Sequence, residues 1–371
     1  MSEPKIEPDL MRVSWGPQHP MSGQTRILLD IDGEIVHRLT ADLGFTHRGI
    51  EKILENRTFL QGIIPIERMV MVDTANIGLG YVLAIEEALG VEPPERADWI
   101  RSMICEFCRI NSHLYAFGLQ VEATAYFPAV FLWTTIDREI ILDLQEQLTG
   151  ARWSYNFFMP GGVHADIPEG FQDKVLEGVE YLRGRFKQYW GAMVENAIFE
   201  MRNEGVAVLR KEDAIRLGAT GPVLRGSGVD MDVRKDDPYA AYGDLDFKVV
   251  TEAEGDAMAR LKVRFHEIEQ SLDIIEQVAN EIPGGPVRTR IPLFLRIKPT
   301  EVLSRVETAR GELGIHMLTD GGMNPYRVQI NSPSLRNMYV FERLAELDEI
   351  FLADVPVVIN SIDPWYLDSD R

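Results

Sequence analysis

Cysteine is almost absent from this sequence, and long apolar runs and an excess of positive charge are absent too. The chain has 371 residues but only two cysteines, too few for a disulfide framework, which favours a reducing compartment. No run approaches the roughly 18 consecutive apolar residues that span a bilayer. The first twelve residues, MSEPKIEPDLMR, hold no apolar signal core. We therefore expect a chain on the cytoplasmic side that reaches a membrane only through partner proteins.

The charge balance is strongly acidic, with 38 lysines and arginines against 58 aspartates and glutamates, a formal net charge of −20. Nucleic-acid binding depends on basic side chains that neutralise phosphates, and anionic lipid attracts the same residue types. Both kinds of direct partner are therefore disfavoured. The chain is 45% hydrophobic and 26% charged, which is ordinary for a globular protein with a large core.

From Gly49 onward the apolar residues recur at helical spacing through most of the chain. The clearest pattern alternates steps of three and four residues, which is typical of a helix that packs on neighbouring helices. Several such stripes predict a central bundle. The first predicted helix starts after Pro93-Pro94 and has the apolar stripe Trp99, Met103, Phe107, Ile110 and Leu114, and a second covers 131–148 and stops at Gly150. A third extends from a cap at Asp166 to Met201, over roughly 50 Å. A fourth has the apolar seam Met258, Leu261, Phe265, Ile268, Leu272, Ile275, Ala279 and Ile282.

Strand signals lie at the two ends of the chain. Near the N-terminus, Asp32-Gly33 separates two β-rich runs within 25–39 and predicts a hairpin turn there. A second hairpin is predicted in 311–330, around the sequence DGGMN, followed by a last helix and a stiff tail. Between the helices, the Gly-, Asp- and Pro-rich segment 217–250 predicts a long ordered loop, and such loops usually serve function or partner binding.

The two cysteines form a C-x-x-C pair, Cys105 and Cys108, inside a predicted helix. A redox dithiol sits at a helix N-terminus, where the dipole lowers the thiol pKa, and structural zinc needs two further ligands. Neither condition is met here, although His113 is close in sequence. We therefore interpret the pair as buried structural residues.

Three other side chains are candidates on the residues alone. His19 is held in the proline-rich turn WGPQHP, and Arg48 and Arg68 lie near the ends of predicted helices. The arginines could form salt bridges, or they could raise the potential of a nearby redox centre by stabilising its reduced form. The sequence contains no G-x-G-x-x-G, P-loop, H-E-x-x-H or G-x-S-x-G motif.

The whole chain resembles the hydrogenase-like 49 kDa-type (D-type) subunits of respiratory complex I. Matching segments lie from end to end: WGPQHP, LGFTHRGIEK, PGGV, TGPVLRGSG, DDPYAAY, QSLDIIEQV, ARGELG and the terminal SIDP and DSDR. The resemblance implies an α+β, mainly α fold like the nickel–iron hydrogenase large subunit, a helical bundle flanked by N-terminal and C-terminal β-hairpins. It implies one domain over 1–371, made of a β region (1–47), the bundle (48–282) and a C-terminal hairpin with a tail (283–371).

The resemblance also implies that the hydrogenase metal site is lost. The family's cysteine pairs fall on Val70 and Asp73 near the N-terminus, and on Trp365 and Asp368 at the C-terminus, with Arg371 in the place of the terminal histidine. We therefore expect this chain to bind no metal and not to be a hydrogenase. Cys105 and Cys108 match neither pair.

In the family, this subunit walls a cavity where quinone is reduced beside a partner's terminal four-iron iron–sulfur cluster. Arg48 and Arg68 match positions next to that cluster. The implied acceptor pocket contains His19, Met71 and Glu122, and Glu122 is a candidate catalytic proton donor. The departures concern the quinone ligands, because the second histidine of H-P-x-x-H is missing, the quinone-binding tyrosine is Met71, and a histidine near the cluster is Ser154.

These departures make the implied pocket less polar and favour a heteroaromatic acceptor without carbonyl groups. The methanogen branch of the family, the F(420)H(2) dehydrogenases, passes electrons from a reduced deazaflavin to methanophenazine and pumps ions. The resemblance implies that role here, with a B-like iron–sulfur subunit, C-like and I-like peripheral chains and an H-like membrane-arm chain as partners at the cytoplasmic face of the membrane. The alternatives are a quinone-reducing D-type subunit of complex I and a non-catalytic scaffold.

Overall fold

A computed structural model describes residues 10–19, 23–125 and 128–371. The helices are α1 (Ile50–Glu55), α2 (Phe59–Ile66), α3 (Thr74–Leu89), α4 (Glu95–Ala125), α5 (Pro128–Thr149), α6 (Phe171–Met193), α7 (Ala197–Asn203), α8 (Lys211–Leu217), α9 (Pro222–Arg225), α10 (Val233–Asp236), α11 (Ala257–Glu281), α12 (Pro333–Leu347), α13 (Val355–Ile362) and α14 (Tyr366–Asp370). The strands are β1 (Met11–Trp15), β2 (Arg26–Asp32), β3 (Ile35–Asp42), β4 (Phe158–Met159), β5 (Gly162–Val163), β6 (Thr300–Thr308), β7 (Gly311–Thr319), β8 (Arg327–Asn331) and β9 (Ile350–Phe351). A single 3-10 turn covers Leu352–Asp354.

The centre of the molecule is a bundle in which α4 packs against α5, α11 and α13. Helix α4 follows Pro93-Pro94, as predicted, and the residues of its apolar stripe are buried. Helix α11 begins where Asp256 accepts a hydrogen bond from the backbone N–H of Ala259 at 2.7 Å. Where α4 meets α11, the Phe117 and Phe265 rings stack with centroids 4.2 Å apart. These helices confirm the predicted α+β, mainly α fold with a central bundle.

The predicted helix from Asp166 to Met201 is wrong at both ends. Asp166 forms an ion pair with Arg96 instead of a cap, and α6 begins only after Gly170, whose φ is 72°. The helix ends at Met193, and the side chain of Asn196 caps a separate helix, α7. Local capping chemistry therefore divides what the apolar pattern presents as one element.

The N-terminal sheet has the order β1-β2-β3-β9. The β2–β3 hairpin is where it was predicted, but its two-residue loop is Gly33-Glu34, one residue later than expected, because Asp32 pairs with Ile35. Gly33 has a φ of 60°, the left-handed conformation such loops require. Strand β1 lengthens the predicted hairpin into a larger sheet.

The C-terminal sheet has the order β6-β7-β8, so the predicted hairpin (β7–β8) gains a further strand. The stiff tail predicted after α12 is instead two short helices, α13 and α14. Helix α13 starts with a proline in its first turn, a position that proline tolerates because the missing N–H has no partner there. This tail packs on α4, α11 and α12.

The segment 217–250 is an ordered loop, as predicted, and it contains the short helices α9 and α10. Buried ion pairs tie it to the bundle. Arg225 Nε donates to Glu267 on α11 at 2.8 Å, and Arg234 Nη1 donates to Glu106 on α4 at 3.1 Å. All four side chains are buried. Paired charges of this kind hold a loop in one position, since losing one partner would leave the other charge buried and unpaired.

Candidate functional site

A cavity of about 260 Å³ opens where α4, α13 and the start of α14 meet the turn that precedes β2. Apolar and aromatic side chains form most of its surface, with a few polar groups among them. Such a cavity suits a small, largely apolar ligand. The lining residues are Gly23, Gln24, Met71, Tyr115, Leu119, Ile359, Asn360, Asp363, Pro364, Trp365, Tyr366 and Leu367.

Two of the aromatic walls contact one another and lie against guanidinium groups. The rings of Tyr115 and Trp365 meet edge to face, with centroids 6.3 Å apart. Arg138 lies 5.1 Å from the Tyr115 ring centroid, and Arg310 lies 5.3 Å from that of Trp365. These cation–π contacts hold the two rings in place. The cavity therefore offers fixed aromatic surfaces on which a planar ring system can stack.

One face of α4 points toward this cavity. Between Trp99 and Val121 every residue of the helix is buried except Tyr115 and Leu119, which both line the cavity. Glu122 is partly buried and follows Leu119 by three residues. Steps of four and three residues put all three side chains on the same face of a helix. The structure thus places Glu122 one turn beyond the lined part of the cavity, on its side of α4.

Of two residues predicted for the acceptor pocket, Met71 lines this cavity, whereas His19 lies beside it. Met71 lines it directly and is 51% exposed. The His19 ring contacts that of Trp15 at a tilt of 54°, with centroids 4.5 Å apart, and His19 forms an isolated β-bridge with Gly23, which lines the cavity. His19 therefore lies beside the cavity wall. Residues 20–22 of the HPMSGQTR segment lie outside the described residues.

Arg48 and Arg68, the predicted cluster-adjacent residues, lie next to each other on the surface. Arg48 Nη1 donates to the carbonyl oxygen of Arg68 at 3.1 Å, and Arg68 Nη1 donates to that of Ile64 at 2.7 Å. Within the described part of the chain, neither guanidinium is paired with a carboxylate. Two positive charges without an ion-pair partner, on a chain of net charge −20, make this spot attractive to a negative group.

Exposed apolar side chains lie close in sequence to the arginine pair. Phe45, three residues before Arg48, is 52% exposed, and Ile64, four residues before Arg68, is 50% exposed. Met71 follows Arg68 by three residues. Exposed apolar groups near fixed charges are typical of a protein interface. This surface, which we call the arginine surface (Phe45, Arg48, Ile64, Arg68 and Met71), adjoins the cavity because Met71 belongs to both.

A buried carboxyl group lies directly behind the arginine surface. Glu67 Oε2 accepts the backbone N–H of Asn156 at 2.7 Å, and burial raises the pKa of Glu67 to about 7, against the effect of the Arg68 charge. Asn156 and Ser154 both have positive φ, 46° and 50°. Ser154, the predicted replacement of a family histidine, therefore lies two residues from the backbone contact of Glu67.

The four positions that would hold a metal in a hydrogenase contain no thiolate. Val70 is buried and apolar, and Trp365 lines the cavity. Asp73 accepts hydrogen bonds from Ala309 N at 2.7 Å and Asn76 Nδ2 at 2.5 Å. Burial raises the pKa of Asp73 and raises that of Asp368 to about 7. No group of three or more His, Cys, Asp or Glu side chains in 10–19, 23–125 and 128–371 could hold a metal ion; that the chain binds none stays a prediction.

Both cysteines are free thiols in the buried middle of α4. Cys108 Sγ contacts Tyr155 Oη at 3.5 Å and accepts from Gln145 Nε2 at 3.4 Å. Burial raises the pKa of Cys108 to about 12 and raises that of Cys105 well above its usual range. Protonated, buried thiols agree with the interpretation of the pair as structural residues.

Sequence reasoning missed Tyr115, Trp365 and Tyr366 as members of the cavity. Trp365 was considered only as the position of a lost cysteine. A signal existed for Tyr115, because it precedes Glu122 by seven residues and so shares its helix face. The other two depend on how α14 folds back beside the N-terminal turn, which no local pattern indicates.

The mainly α fold around a central bundle is that of the 49 kDa-type subunits of respiratory oxidoreductase complexes. Residues 127–295 and 292–371 match the family of the respiratory-chain NADH dehydrogenase, 49 kDa subunit. The chain belongs to this family. No helix in the described residues combines the length and the apolar character that a bilayer crossing requires.

Several relatives cover the chain almost completely. The D subunit of F(420)H(2) dehydrogenase from Methanosarcina mazei is 39% identical over 100% of both chains. The D subunit of NADH-quinone oxidoreductase from Geotalea uraniireducens is 38% identical over 98% of this chain and 99% of its own. A chain in the structure of the membrane-bound sulfane sulfur reductase, an archaeal respiratory membrane complex, aligns with a TM-score of 0.94, 38% identity and coverage of 99% and 100%. Identities this similar do not separate the electron acceptors.

Proposed function

We propose that this chain is the acceptor-cavity subunit of a membrane-bound, ion-pumping oxidoreductase that passes electrons from reduced coenzyme F(420) to methanophenazine. The observation that carries the proposal is the aromatic cavity beside the arginine surface, with Met71 shared by both. A planar acceptor in the cavity would lie close to any redox group bound at that surface. The chain itself would hold no redox cofactor.

The arginine surface supports a partner that carries a four-iron iron–sulfur cluster. Arg48 and Arg68 have no carboxylate partner among the described residues, so their charges are available to a cluster that becomes more negative on reduction. The exposed Phe45 and Ile64 would be covered by the same partner. We expect a B-like iron–sulfur subunit here, with C-like and I-like peripheral chains and an H-like membrane-arm chain elsewhere, on the cytoplasmic face of the membrane.

The cavity walls support a phenazine over a quinone. A quinone needs hydrogen-bond donors for two carbonyl oxygens, whereas a phenazine is a flat tricycle with two ring nitrogens. Met71 supplies a thioether, which packs on aromatic rings and donates no hydrogen bond. The ring of Trp365 adds a stacking surface. The name of the Methanosarcina mazei relative refers to F(420)H(2), which agrees with the proposed electron donor.

One observation favours quinone as the alternative acceptor. The cavity contains two tyrosines, Tyr115 and Tyr366, whose hydroxyl groups could bind carbonyl oxygens. The names of the Geotalea uraniireducens relative and of others like it refer to quinone. A non-catalytic scaffold is the other alternative, in which the arginine pair only supports assembly.

The test is a comparison of acceptors in the intact complex. The tagged chain is purified with its partners, and reduced coenzyme F(420) is supplied as electron donor. Reduction of a soluble phenazine is compared with that of a short-chain quinone and of a sulfane sulfur compound. We expect the phenazine to be reduced with the highest kcat/KM. Preference for the quinone or for sulfane sulfur would contradict the proposed acceptor, and the absence of all three activities would favour the scaffold.

A further inference from the structure

The cavity has few groups that could give a proton to a reduced acceptor. An acceptor that takes two electrons becomes a neutral product only if it also takes two protons. Met71 has no proton to donate, Trp365 has an indole N–H that does not ionise, and Asp363 accepts a hydrogen bond from a buried guanidinium at 3.1 Å. Among the other lining side chains, Tyr115 and Tyr366 carry hydroxyl groups, so the choice of donor lies between them.

Tyr366 is poorly placed to lose a proton. Its ring lies so close to the N-terminal turn that a Cβ added to Gly23 would be 2.6 Å from Tyr366 Cε2. Burial raises the pKa of Tyr366, and the nearby negative charge of Asp363 raises it further. A phenolate at this position would be both desolvated and repelled.

Tyr115, unlike Tyr366, has cations close to its ring. The Arg138 guanidinium is 5.1 Å from the Tyr115 ring centroid. Burial raises the pKa of Tyr115, and the charges of Asp363 and Glu122 also raise it, whereas those of Arg138 and Arg310 lower it. The phenolate left by proton transfer would therefore be stabilised by two cations. Tyr115 lines the cavity, and its hydroxyl forms no hydrogen bond with another of the described residues, which leaves it available to a ligand.

A route for replacing the proton lies along the same helix face. Leu119 and Glu122 follow Tyr115 at steps of four and three residues, and all three side chains are partly exposed. The charge of Glu122 is near enough to influence the pKa of Tyr115. Glu122 is thus within electrostatic reach of the hydroxyl, one turn beyond the cavity.

We propose that Tyr115 is a catalytic residue of the acceptor cavity, whose hydroxyl donates a hydrogen bond and then its proton to the reduced acceptor. This inference rests on the proposed function, which supplies two electrons through the partner's iron–sulfur cluster. In the step assigned to Tyr115, its O–H bond breaks and an N–H bond forms at a ring nitrogen of the phenazine, or an O–H bond at a quinone oxygen. The electron pair of the broken bond stays on the phenolate, which takes a proton from water, directly or through the Glu122 carboxylate once that group has itself taken a proton from water; the second proton also comes from water.

The test is Tyr115→Phe in the intact complex. Phenylalanine keeps the ring against Trp365 and below Arg138, so the cavity wall is preserved. We expect kcat for phenazine reduction to fall about 100-fold, the size typical of a lost proton donor, with a much smaller change in KM. Reduction of the partner's cluster by reduced coenzyme F(420), followed by electron paramagnetic resonance, should keep its wild-type rate. Tyr339→Phe, at an exposed position on α12, is the matched control and should leave turnover unchanged.

A second variant covers the case in which the first one does not assemble. Fluorotyrosine at position 115 keeps the hydroxyl but makes it more acidic. The alkaline limit of the pH profile of acceptor reduction should move to lower pH, while the profile of cluster reduction stays in place. A purely structural role would move neither profile.

The outcomes separate this inference from the proposed function. If the wild-type complex reduces neither phenazine nor quinone although its cluster is reduced, the proposed function and the role of Tyr115 both fail. If the wild-type complex reduces an acceptor and the Tyr115→Phe complex reduces it within twofold of the same rate, only the role of Tyr115 is overturned. Loss of activity in Tyr366→Phe but not in Tyr115→Phe would also overturn it.

Discussion

Arg48 donates a hydrogen bond from Nη1 to the main-chain carbonyl oxygen of Arg68, at 3.1 Å, although both side chains carry a positive charge. Neither guanidinium forms an ion pair with a carboxylate among the described residues. Carbonyl oxygens hold them instead, since Arg68 Nη1 bonds that of Ile64. Positive charges that are held at the surface by carbonyl oxygens, without an ion-pair partner, are available to a negative group from outside the chain.

Arg68→Gln should lower the midpoint potential of the partner's iron–sulfur cluster. A positive charge stabilises the reduced, more negative form, so its removal makes reduction harder. For an interaction of about 1.4 kcal/mol the fall is roughly 59 mV in a one-electron couple. A redox titration of the purified complex, followed by electron paramagnetic resonance, measures this shift.

Arg68→Lys is the matched control because it keeps the charge and loses only the planar fork of donors. We expect it to keep most of the potential. An assembled Arg68→Gln complex with an unchanged potential would show that the pair has no electrostatic role, and failure to assemble in both variants would favour the scaffold alternative.

Glu67→Gln should change how stability depends on pH. Burial raises the pKa of Glu67 to about 7, above the 4.5 of an ordinary glutamate, so the folded state binds its proton more tightly than the unfolded state does. The resulting stability is fully present below pH 4.5 and is lost as pH rises through 7. At about 1.4 kcal/mol per unit, the loss is of the order of 3 kcal/mol.

Glutamine is neutral at every pH and can still accept the backbone N–H of Asn156. The melting temperature of the Glu67→Gln complex should therefore fall less between pH 5 and 8 than that of the wild type. Glu177→Gln, at an exposed position on α6, should keep the wild-type slope. Equal slopes for the wild type and Glu67→Gln would mean that Glu67 is ionised throughout this range.

The sequence predicted the bundle well because its helices follow their apolar periods. The seam on α11 from Met258 onward is buried as expected, and the helix ends at Glu281, one residue before the last seam position. The errors concern helix ends, which are set by individual residues near them. Asn196 caps the separate helix α7, and α6 begins only after Gly170. Neither residue interrupts the apolar pattern that predicted a single helix.

The site was predicted in parts. The arginine pair and Met71 came from the family resemblance, and the structure brings them to one surface. The sequence could not show that α14 folds beside the turn at Gly23, because that contact joins residues more than 300 positions apart. Helical spacing could have placed Tyr115 on the same face as Glu122, but a tyrosine next to an apolar stripe is normally a core residue.

Arg101→Met should destabilise the fold strongly. Arg101 is fully buried and donates from Nη2 to Glu86 at 2.6 Å and to the carbonyl oxygens of Met159 and Gly162 at 2.9 and 3.0 Å. The substitution leaves Glu86 buried without its partner, which costs about 3–5 kcal/mol. A large fall in melting temperature or in the yield of assembled complex checks this.

The comparison for Arg101 is a surface arginine. Arg183 forms exposed ion pairs with Asp273 and Glu276, so Arg183→Ala should cost less than about 1 kcal/mol. Adding Glu86→Gln to Arg101→Met should recover part of the loss, because the buried charge is then removed. No recovery would mean that the carbonyl contacts of Arg101 matter more than its ion pair.

The Cys105→Ala, Cys108→Ala double variant should keep electron transfer intact. Both thiols are buried and protonated, so no redox or metal step depends on them. The lost packing should cost about 1–2 kcal/mol. Turnover with the phenazine should stay within twofold of the wild type, with an unchanged cluster signal. A lost cluster signal in an assembled complex would show that the pair takes part in cofactor binding.

Met71→Tyr should shift the choice of acceptor toward quinone. Met71 lines the cavity and is half exposed, so a larger side chain can extend into the open space. The new hydroxyl would donate to a quinone oxygen, while a phenazine would lose part of the thioether surface on which it packs. We expect the ratio of kcat/KM for quinone to that for phenazine to rise about tenfold, the effect of one hydrogen bond of about 1.4 kcal/mol. Met71→Leu, which keeps the size without a donor, should leave the ratio near its wild-type value. A ratio that does not change in Met71→Tyr would mean that the acceptor binds away from this wall of the cavity.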